Sequence, residues 1–206
     1  KRKIDYLLFL RSNIPIAVVE AKASYKHPRE GQGQANLYAK EMGVFFAFST
    51  NGTRFIEYDL LRSTEREFGM DEFPTPEMLW QRLADAKKWT EEQMKIIRSD
   101  YYFQPGQKTP RYYQYVSVNN MIEHVATGHK RGLLVMATGV GKTYTAFQLI
   151  HRLMNTKGLV NGKKIKKVLF LADRNILVDQ TMKNDFSPFG NLRMGKIQNR
   201  TIDSEK

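Results

Sequence analysis

Apolar residues along this chain gather into short runs of strand length, with four stretches of helical spacing between them. Residues 4–10 form the first run, interrupted only by Asp5. Asn13 and Pro15 mark a turn, and residues 16–22 form a second strand, apolar until Glu20. Gly31-Gln32-Gly33 opens a helix that runs through Tyr38 and Lys40 and stops near Gly43. A buried strand at 44–49, an Asn51-Gly52 hairpin turn and a strand at 54–58 follow. Pro74 and Pro76 break the chain, after which helical periodicity begins at Glu77 and polar residues dominate through Ser99. Pro105-Gly106 and Pro110 mark another boundary. Beyond it the pattern predicts a helix at 118–127, a strand at 133–136, a glycine-containing loop and a helix from Tyr144. A basic loop at 163–167 then leads into a strand at 168–172. The expected fold class is α/β: a small mixed sheet with flanking helices over 1–62, a helical linker over 63–108, and a partial parallel α/β lobe over 109–206.

The loop between the strand at 133–136 and its helix carries the most specific chemistry. It reads Met136-Ala137-Thr138-Gly139-Val140-Gly141-Lys142-Thr143. Glycines there let backbone N–H groups approach phosphate oxygens, and the helix N-terminus adds a favourable potential for an anion. In this arrangement Thr138, Gly139, Val140 and Gly141 cradle a nucleoside triphosphate. Lys142 reaches its β- and γ-phosphates, and the Thr143 hydroxyl sits on Mg²⁺. The strict pattern asks for glycine at the position of Met136, so the match is to its functional core.

A second constellation lies near the start. Side chains alternate along a strand, so Glu20 and Lys22 emerge on one face, and Asp5 lies near the end of a candidate neighbouring strand. Two carboxylates at a sheet end make a hard oxygen site suited to Mg²⁺, and an adjacent lysine can orient water or balance charge. On its own, Glu20-x-Lys22 equally describes an ion pair at a solvated strand end. Together, Asp5…Glu20-Ala21-Lys22 resembles the nuclease superfamily named for its Pro-Asp…(Asp/Glu)-x-Lys signature, with Ile4 in place of the proline. Gln34 and Tyr38, at i and i+4 on the next helix, resemble the additional Gln-x-x-x-Tyr motif of nuclease domains in type I restriction motor subunits and related repair helicase–nucleases. Arg111-Tyr112-Tyr113-Gln114 resembles an element of superfamily 2 helicases whose glutamine reads the adenine edge, and residues 170–180 resemble that superfamily's next motif, in which Arg174 and Asn175 would contact the nucleic-acid backbone.

Taken in order, these motifs resemble the restriction (motor) subunit of a type I restriction–modification enzyme. The resemblance implies a PD-(D/E)xK nuclease domain followed by the first part of a RecA-like motor lobe. It implies Mg²⁺-dependent cleavage of double-stranded DNA coupled to ATP-driven translocation, in company with methyltransferase and specificity subunits. Asp5 and Glu20 would hold Mg²⁺, Lys22 would assist the attacking water, Gln34 and Tyr38 would support the site, and Gln114 would select adenine. Alternatives are a repair helicase–nuclease, a nucleic-acid-binding module with an inactive nuclease site, and a pure NTPase.

Composition bounds this picture. The 206 residues carry a formal net charge of +12, which points to a polyanionic partner such as nucleic acid. Cysteine is absent, which removes disulfides and thiolate metal sites and fits a cytoplasmic setting. No apolar run reaches the length of a membrane span. The opening Lys1-Arg2-Lys3 and the lack of an acidic strand after Lys142 lead to the expectation of a chain truncated at both ends, binding nucleotide weakly without being a competent ATPase by itself.

Overall fold

The computed structural model describes residues 3–12, 14–106, 109–160, 162–190 and 194–196. Asn13 lies outside the described residues, but the reversal expected there is seen in its neighbours. Strand β1 (Tyr6–Arg11) runs antiparallel to β2 (Ile14–Ala21), with Tyr6 opposite Val19. Strand β2 pairs in parallel with β3 (Phe46–Thr50), with Val18 opposite Ala47 and Glu20 opposite Ser49. Strands β4 (Arg54–Asp59) and β5 (Thr64–Gly69) complete a five-stranded sheet in sequence order, both pairings antiparallel.

A parallel pair needs a crossover, and helix α1 (Gln32–Met42) supplies it between β2 and β3. It stops at Gly43, whose φ of 65° closes the helix in the left-handed conformation that glycine adopts without penalty. Ala35, Tyr38, Ala39 and Met42 of α1 pack on Val18 and Ala47, which share one face of the sheet. The opposite face presents Ala17, Val19, Phe46, Phe48, Phe55 and Phe68. That face is covered by α2 (Pro76–Lys87), α3 (Glu91–Ile97) and α4 (Tyr112–Ala126) through Leu79, Trp80, Ile96, Val118 and Ile122. Thr75 and Thr90 cap α2 and α3 by accepting N–H bonds from Met78 and Gln93, which explains why helices begin right after these threonines. Helices α5 (Lys142–Asn155) and α6 (Asn175–Lys183) follow, with α5 packed on α4.

Four expectations are corrected. The sheet does not end at residue 62, because β5 pairs with β4 from Asp59↔Thr64 to Arg54↔Gly69. Four of its six residues are exposed, Thr64 to Glu67, so this charged edge strand carries no apolar signal. Segment 63–108 is no mere linker either, since Leu79, Trp80 and Leu83 of α2 and Ile96 and Ile97 of α3 enter the core. The strands expected at 133–136 and 168–172 are not formed: a strand is defined by its hydrogen-bonded neighbour, and among the described residues neither segment pairs into a sheet. Leu133 and Val135 are accordingly 84% and 88% exposed. The helix expected at 118–127 begins earlier, at Tyr112, because the Gln114 side chain accepts the Arg111 N–H and caps it there.

Helix α2 is tied to the sheet by charge as well as by packing. Glu57 and Asp59 of β4 are buried on the α2 face, and Arg82 of α2 bonds both, with Arg66 and Arg62 completing the cluster. Burial pushes the Asp59 carboxyl up, but hydrogen bonds from Arg82, from Arg62 and from the Arg62 and Leu61 N–H groups outweigh it and hold it below the ordinary 3.8. A depressed folded-state value means that this stabilisation is complete above pH 3.8 and is lost as pH falls through the lower folded value. Asp59→Asn should therefore cost on the order of 1–3 kcal/mol at neutral pH and flatten the acid limb of a stability-versus-pH curve from denaturant unfolding. An acid limb unchanged by the substitution would contradict this assignment.

Candidate active site

The end of β2 builds a polar cluster inside an otherwise apolar layer. Glu20 shares the α1 face with Val18 and is 3% exposed. The Lys22 N–H donates to the Thr50 carbonyl at 2.7 Å, which prolongs the ladder and keeps Lys22 on the face of Glu20. From the neighbouring strand side, Asp5 Oδ2 accepts the Ala21 N–H at 2.9 Å, which sets its carboxylate against the same strand end.

From there a chain of bonds runs onto α1. Lys22 Nζ donates to Glu20 Oε1 at 2.8 Å and to Gln34 Oε1 at 3.1 Å. The Gln34 amide nitrogen donates to the Tyr38 hydroxyl at 3.0 Å, and Tyr38 is buried. The structure thus brings Asp5, Glu20, Lys22, Gln34 and Tyr38 together. Holding Lys22 between two oxygens fixes its charge in a half-buried position, and Lys22 in turn compensates a carboxylate that burial would otherwise penalise.

Two features leave room for a cation. Glu20 Oε2 is buried and has no hydrogen-bond partner among the described residues, so one carboxylate oxygen is uncommitted. Gly31, just before α1, faces the cluster. A Cβ there would collide with Ser49 Oγ and stand 3.0 Å from Lys22 Cε and 3.1 Å from Glu20 Cγ. No group of three histidine, cysteine or carboxylate side chains converges among the described residues. The site therefore offers two carboxylates, Asp5 and Glu20, a donor set that suits Mg²⁺ because that ion retains several waters. Gly31 and Ser49 are the members that sequence reasoning missed. Gly31 read as a helix opener only, and Ser49 joins the site through the β2–β3 register.

The glycine loop expected to bind phosphate lies at the start of α5. Gly139 and Gly141 have φ of 79° and 85°, a region that side chains with a Cβ rarely enter. Space beside Gly139 is open, whereas a Cβ on Gly141 would stand 2.6 Å from the Gln114 amide nitrogen. Thr138, Gly139 and Val140 form the turn, and Lys142 and Thr143 are the first residues of α5. Lys142 is exposed, and its Nζ donates to the carbonyls of Ala137 at 3.1 Å and Met136 at 3.4 Å. These neutral acceptors are exchangeable for phosphate oxygens. Gln114 is buried, with its amide nitrogen on the Val140 carbonyl at 3.0 Å and its oxygen on the Arg111 N–H at 2.8 Å. It ties α4 to the phosphate loop, and reading an adenine edge requires it to exchange these bonds. Arg174 and Asn175 start α6. Arg174 is exposed, with its nearest carboxylate, Asp173, at 4.0 Å.

Comparison with known proteins finds relatives along nearly the whole chain. A family model described as the res subunit of type III restriction enzymes matches residues 107–206. The EcoAI endonuclease subunit of a type I restriction enzyme from Escherichia coli is 46% identical over 98% of this chain, which spans 25% of that protein. The EcoKI endonuclease subunit of Escherichia coli strain K12 is 30% identical over 84% of the chain, which spans 15% of it. A solved fragment described as an HsdR subunit of a type I restriction enzyme from Vibrio vulnificus YJ016 superposes with a TM-score of 0.76 at 36% identity, covering 92% of this chain and 34% of that one. The chain thus spans about a quarter of the length of the EcoAI subunit. With sequence likeness across nearly its whole length and the same fold in a solved fragment, this chain belongs to the endonuclease (HsdR) subunits of type I restriction enzymes.

Proposed function

We propose that this chain carries the DNA-cleavage centre and the nucleotide-binding start of the motor in a type I restriction enzyme R subunit. It acts on double-stranded DNA after ATP-driven translocation, together with methyltransferase and specificity subunits that choose the site. Residues 1–62 together with β5 form the nuclease unit, α2 and α3 connect and cover it, and the segment from residue 109 begins a RecA-like lobe. A cytoplasmic setting is part of this reading. The single observation that carries the cleavage assignment is the bonded cluster Asp5–Glu20–Lys22–Gln34–Tyr38 with Glu20 Oε2 left uncommitted.

Asp5 and Glu20 would hold Mg²⁺, which supplies Lewis acidity at a phosphodiester oxygen. Lys22 does the rest of the electrostatic work. Its ammonium, held between Glu20 and Gln34, stands ready to orient a water for attack and to offset charge that builds on the phosphate. Gln34 and Tyr38 are positioning residues, since they restrict where Lys22 can go. Gly31 keeps the cradle free of a side chain. At the other site, Lys142, now on the Met136 and Ala137 carbonyls, would hold the β- and γ-phosphates of ATP, Thr143 would hold the accompanying Mg²⁺ through its hydroxyl, and the N-terminus of α5 would add favourable potential. Gln114 selects adenine, and Arg174 and Asn175 contact the DNA backbone.

In the full-length subunit assembled with its partners, Lys22→Ala should lower DNA cleavage by roughly 10²-fold or more while leaving DNA-stimulated ATP hydrolysis intact. Asp5→Ala should behave alike, and persistent cutting by both variants would sink the nuclease assignment. Lys142→Ala should remove ATP hydrolysis and with it translocation-dependent cleavage, by on the order of 10²-fold. An unchanged steady-state ATPase rate in that variant would contradict the nucleotide assignment.

A further inference from the structure

The largest fully buried side chain among the described residues is an arginine. Arg152, in the last turns of α5, has no exposed surface. Its Nε donates to the Ser99 carbonyl at 2.9 Å, Nη2 to the Ile97 carbonyl at 2.7 Å and Nη1 to the Asn119 side-chain oxygen at 2.6 Å. The guanidinium carbon stands 4.4 Å from the centroid of the Tyr101 ring. None of these acceptors is a carboxylate. The neighbouring Asp100 side chain is mostly exposed and pairs with Arg11 of β1 instead. Ile97 and Ser99 carry carbonyls left over at the C-terminal end of α3, where the helix dipole favours a cation, so the charge is accommodated without a counter-ion. A buried charge of this kind is a poor source of stability compared with an apolar side chain of equal volume. What it provides is geometry. A planar fork held by acceptors on two separate segments fixes both the translation and the rotation of α5.

The same helix repeats the contact one turn earlier. Gln148 is buried, accepts the Tyr102 N–H at 3.0 Å and donates to the Tyr102 carbonyl at 3.1 Å. Two successive turns of α5 therefore grip the backbone of residues 97–102. That segment is held equally firmly from its other side. Ile97 and Tyr101 pack in the core that contains Ile14, Ile16 and Val19 of β2. Arg11 of β1 donates to the Arg98 carbonyl at 3.5 Å and to Asp100 at 3.4 Å. Segment 97–102 is thus the shared piece between the helix that begins with Lys142 and the strand that carries Glu20 near its end.

We infer that Arg152 is a positioning residue that couples the phosphate-loop helix to the cleavage layer, so that a nucleotide-driven shift of α5 is passed to residues 97–102 and onward to β2. Bonds of 2.6–2.9 Å with directional acceptors do not survive an ångström-scale slide, so α5 either carries the segment with it or breaks the grip. The inference rests on the proposed function: its exchange readout needs only the nucleotide-binding part, and its cleavage readout needs the centre at the end of β2.

The test is hydrogen–deuterium exchange of the full-length subunit with and without a non-hydrolysable ATP analogue and Mg²⁺. Arg152→Lys keeps the charge and loses the fork, and Arg152→Met keeps the volume and loses both. Wild type should show exchange at residues 97–102 changing at least about 2-fold on analogue binding. Both variants should bind the analogue within about 3-fold of wild type and lose that change. ATP-dependent cleavage should fall at least about 10-fold in both while ATP hydrolysis stays within about 3-fold. Should Arg152→Met not fold, Arg152→Lys decides alone. An unaltered exchange response in the variants, no response in wild type despite bound analogue, or a parallel loss of nucleotide binding and cleavage would each overturn the coupling role. Wild type failing to bind the analogue at all would instead overturn the nucleotide assignment on which the inference rests, and the inference with it.

Discussion

Parallel pairing of β2 with β3 is the constraint on which the rest of the architecture depends. Two adjacent parallel strands cannot be joined by a tight turn, so the chain must cross over one face of the sheet. The crossover here is α1, and its first two turns land over the C-terminal end of β2. Gln34 and Tyr38 are brought to Glu20 and Lys22 by that geometry alone. Gly31 is required at the point where crossover and strand end come closest, because a side chain there would collide with Ser49 and crowd Lys22 and Glu20. The polar cluster is therefore a consequence of topology. It is also held to a narrow set of positions, since Lys22 is bonded on both sides and Asp5 is fixed to the backbone of β2.

The opposite face of the sheet serves a different purpose. There α2, α3 and α4 bury the phenylalanines of β3, β4 and β5, and Arg82 locks α2 to the buried Glu57 and Asp59. Helix α5 reaches this layer through polar bonds to residues 97–102, through Leu149 and Leu153 packed on the core, and through its packing on α4. A hydrophobic contact tolerates sliding better than a fork of hydrogen bonds does, so the choice of polar contacts there favours transmission of movement over raw stability. The two chemistries proposed for this chain thus occupy opposite sides of one packed unit and meet in a short stretch of backbone.

Much of this was legible in the residues themselves. Alternation along residues 16–22 put Glu20 and Lys22 on one face, and the four-residue spacing of Gln34 and Tyr38 put both over it. The phosphate loop declared itself by Gly139, Gly141, Lys142 and Thr143. What stayed hidden depended on neighbours that no local pattern contains. Strand β5 is polar because it lies at the sheet edge, so periodicity missed it. Segments 133–136 and 168–172 have strand-like apolar runs, yet pairing decides whether a run becomes a strand, and theirs is absent among the described residues. Gln114 showed the right side chain in the right place, but only the structure reveals that both ends of its amide are spent on Arg111 and Val140. Arg152 would pass on any helical wheel for a solvent-facing cation, and its burial follows entirely from where α3 ends.

The uncommitted Glu20 oxygen is the point at which fold becomes chemistry, and it is accessible to direct measurement. Titration of Mn²⁺ into the protein without nucleotide, followed by calorimetry or by the loss of the free-ion electron paramagnetic resonance signal, reports on it independently of DNA or ATP. The predicted result is a saturable divalent site that Glu20→Gln and Asp5→Asn each weaken by at least about 10-fold while Lys142→Ala leaves it unchanged. Saturable binding of equal strength in wild type and in Glu20→Gln would contradict the assignment of the cleavage centre to the end of β2.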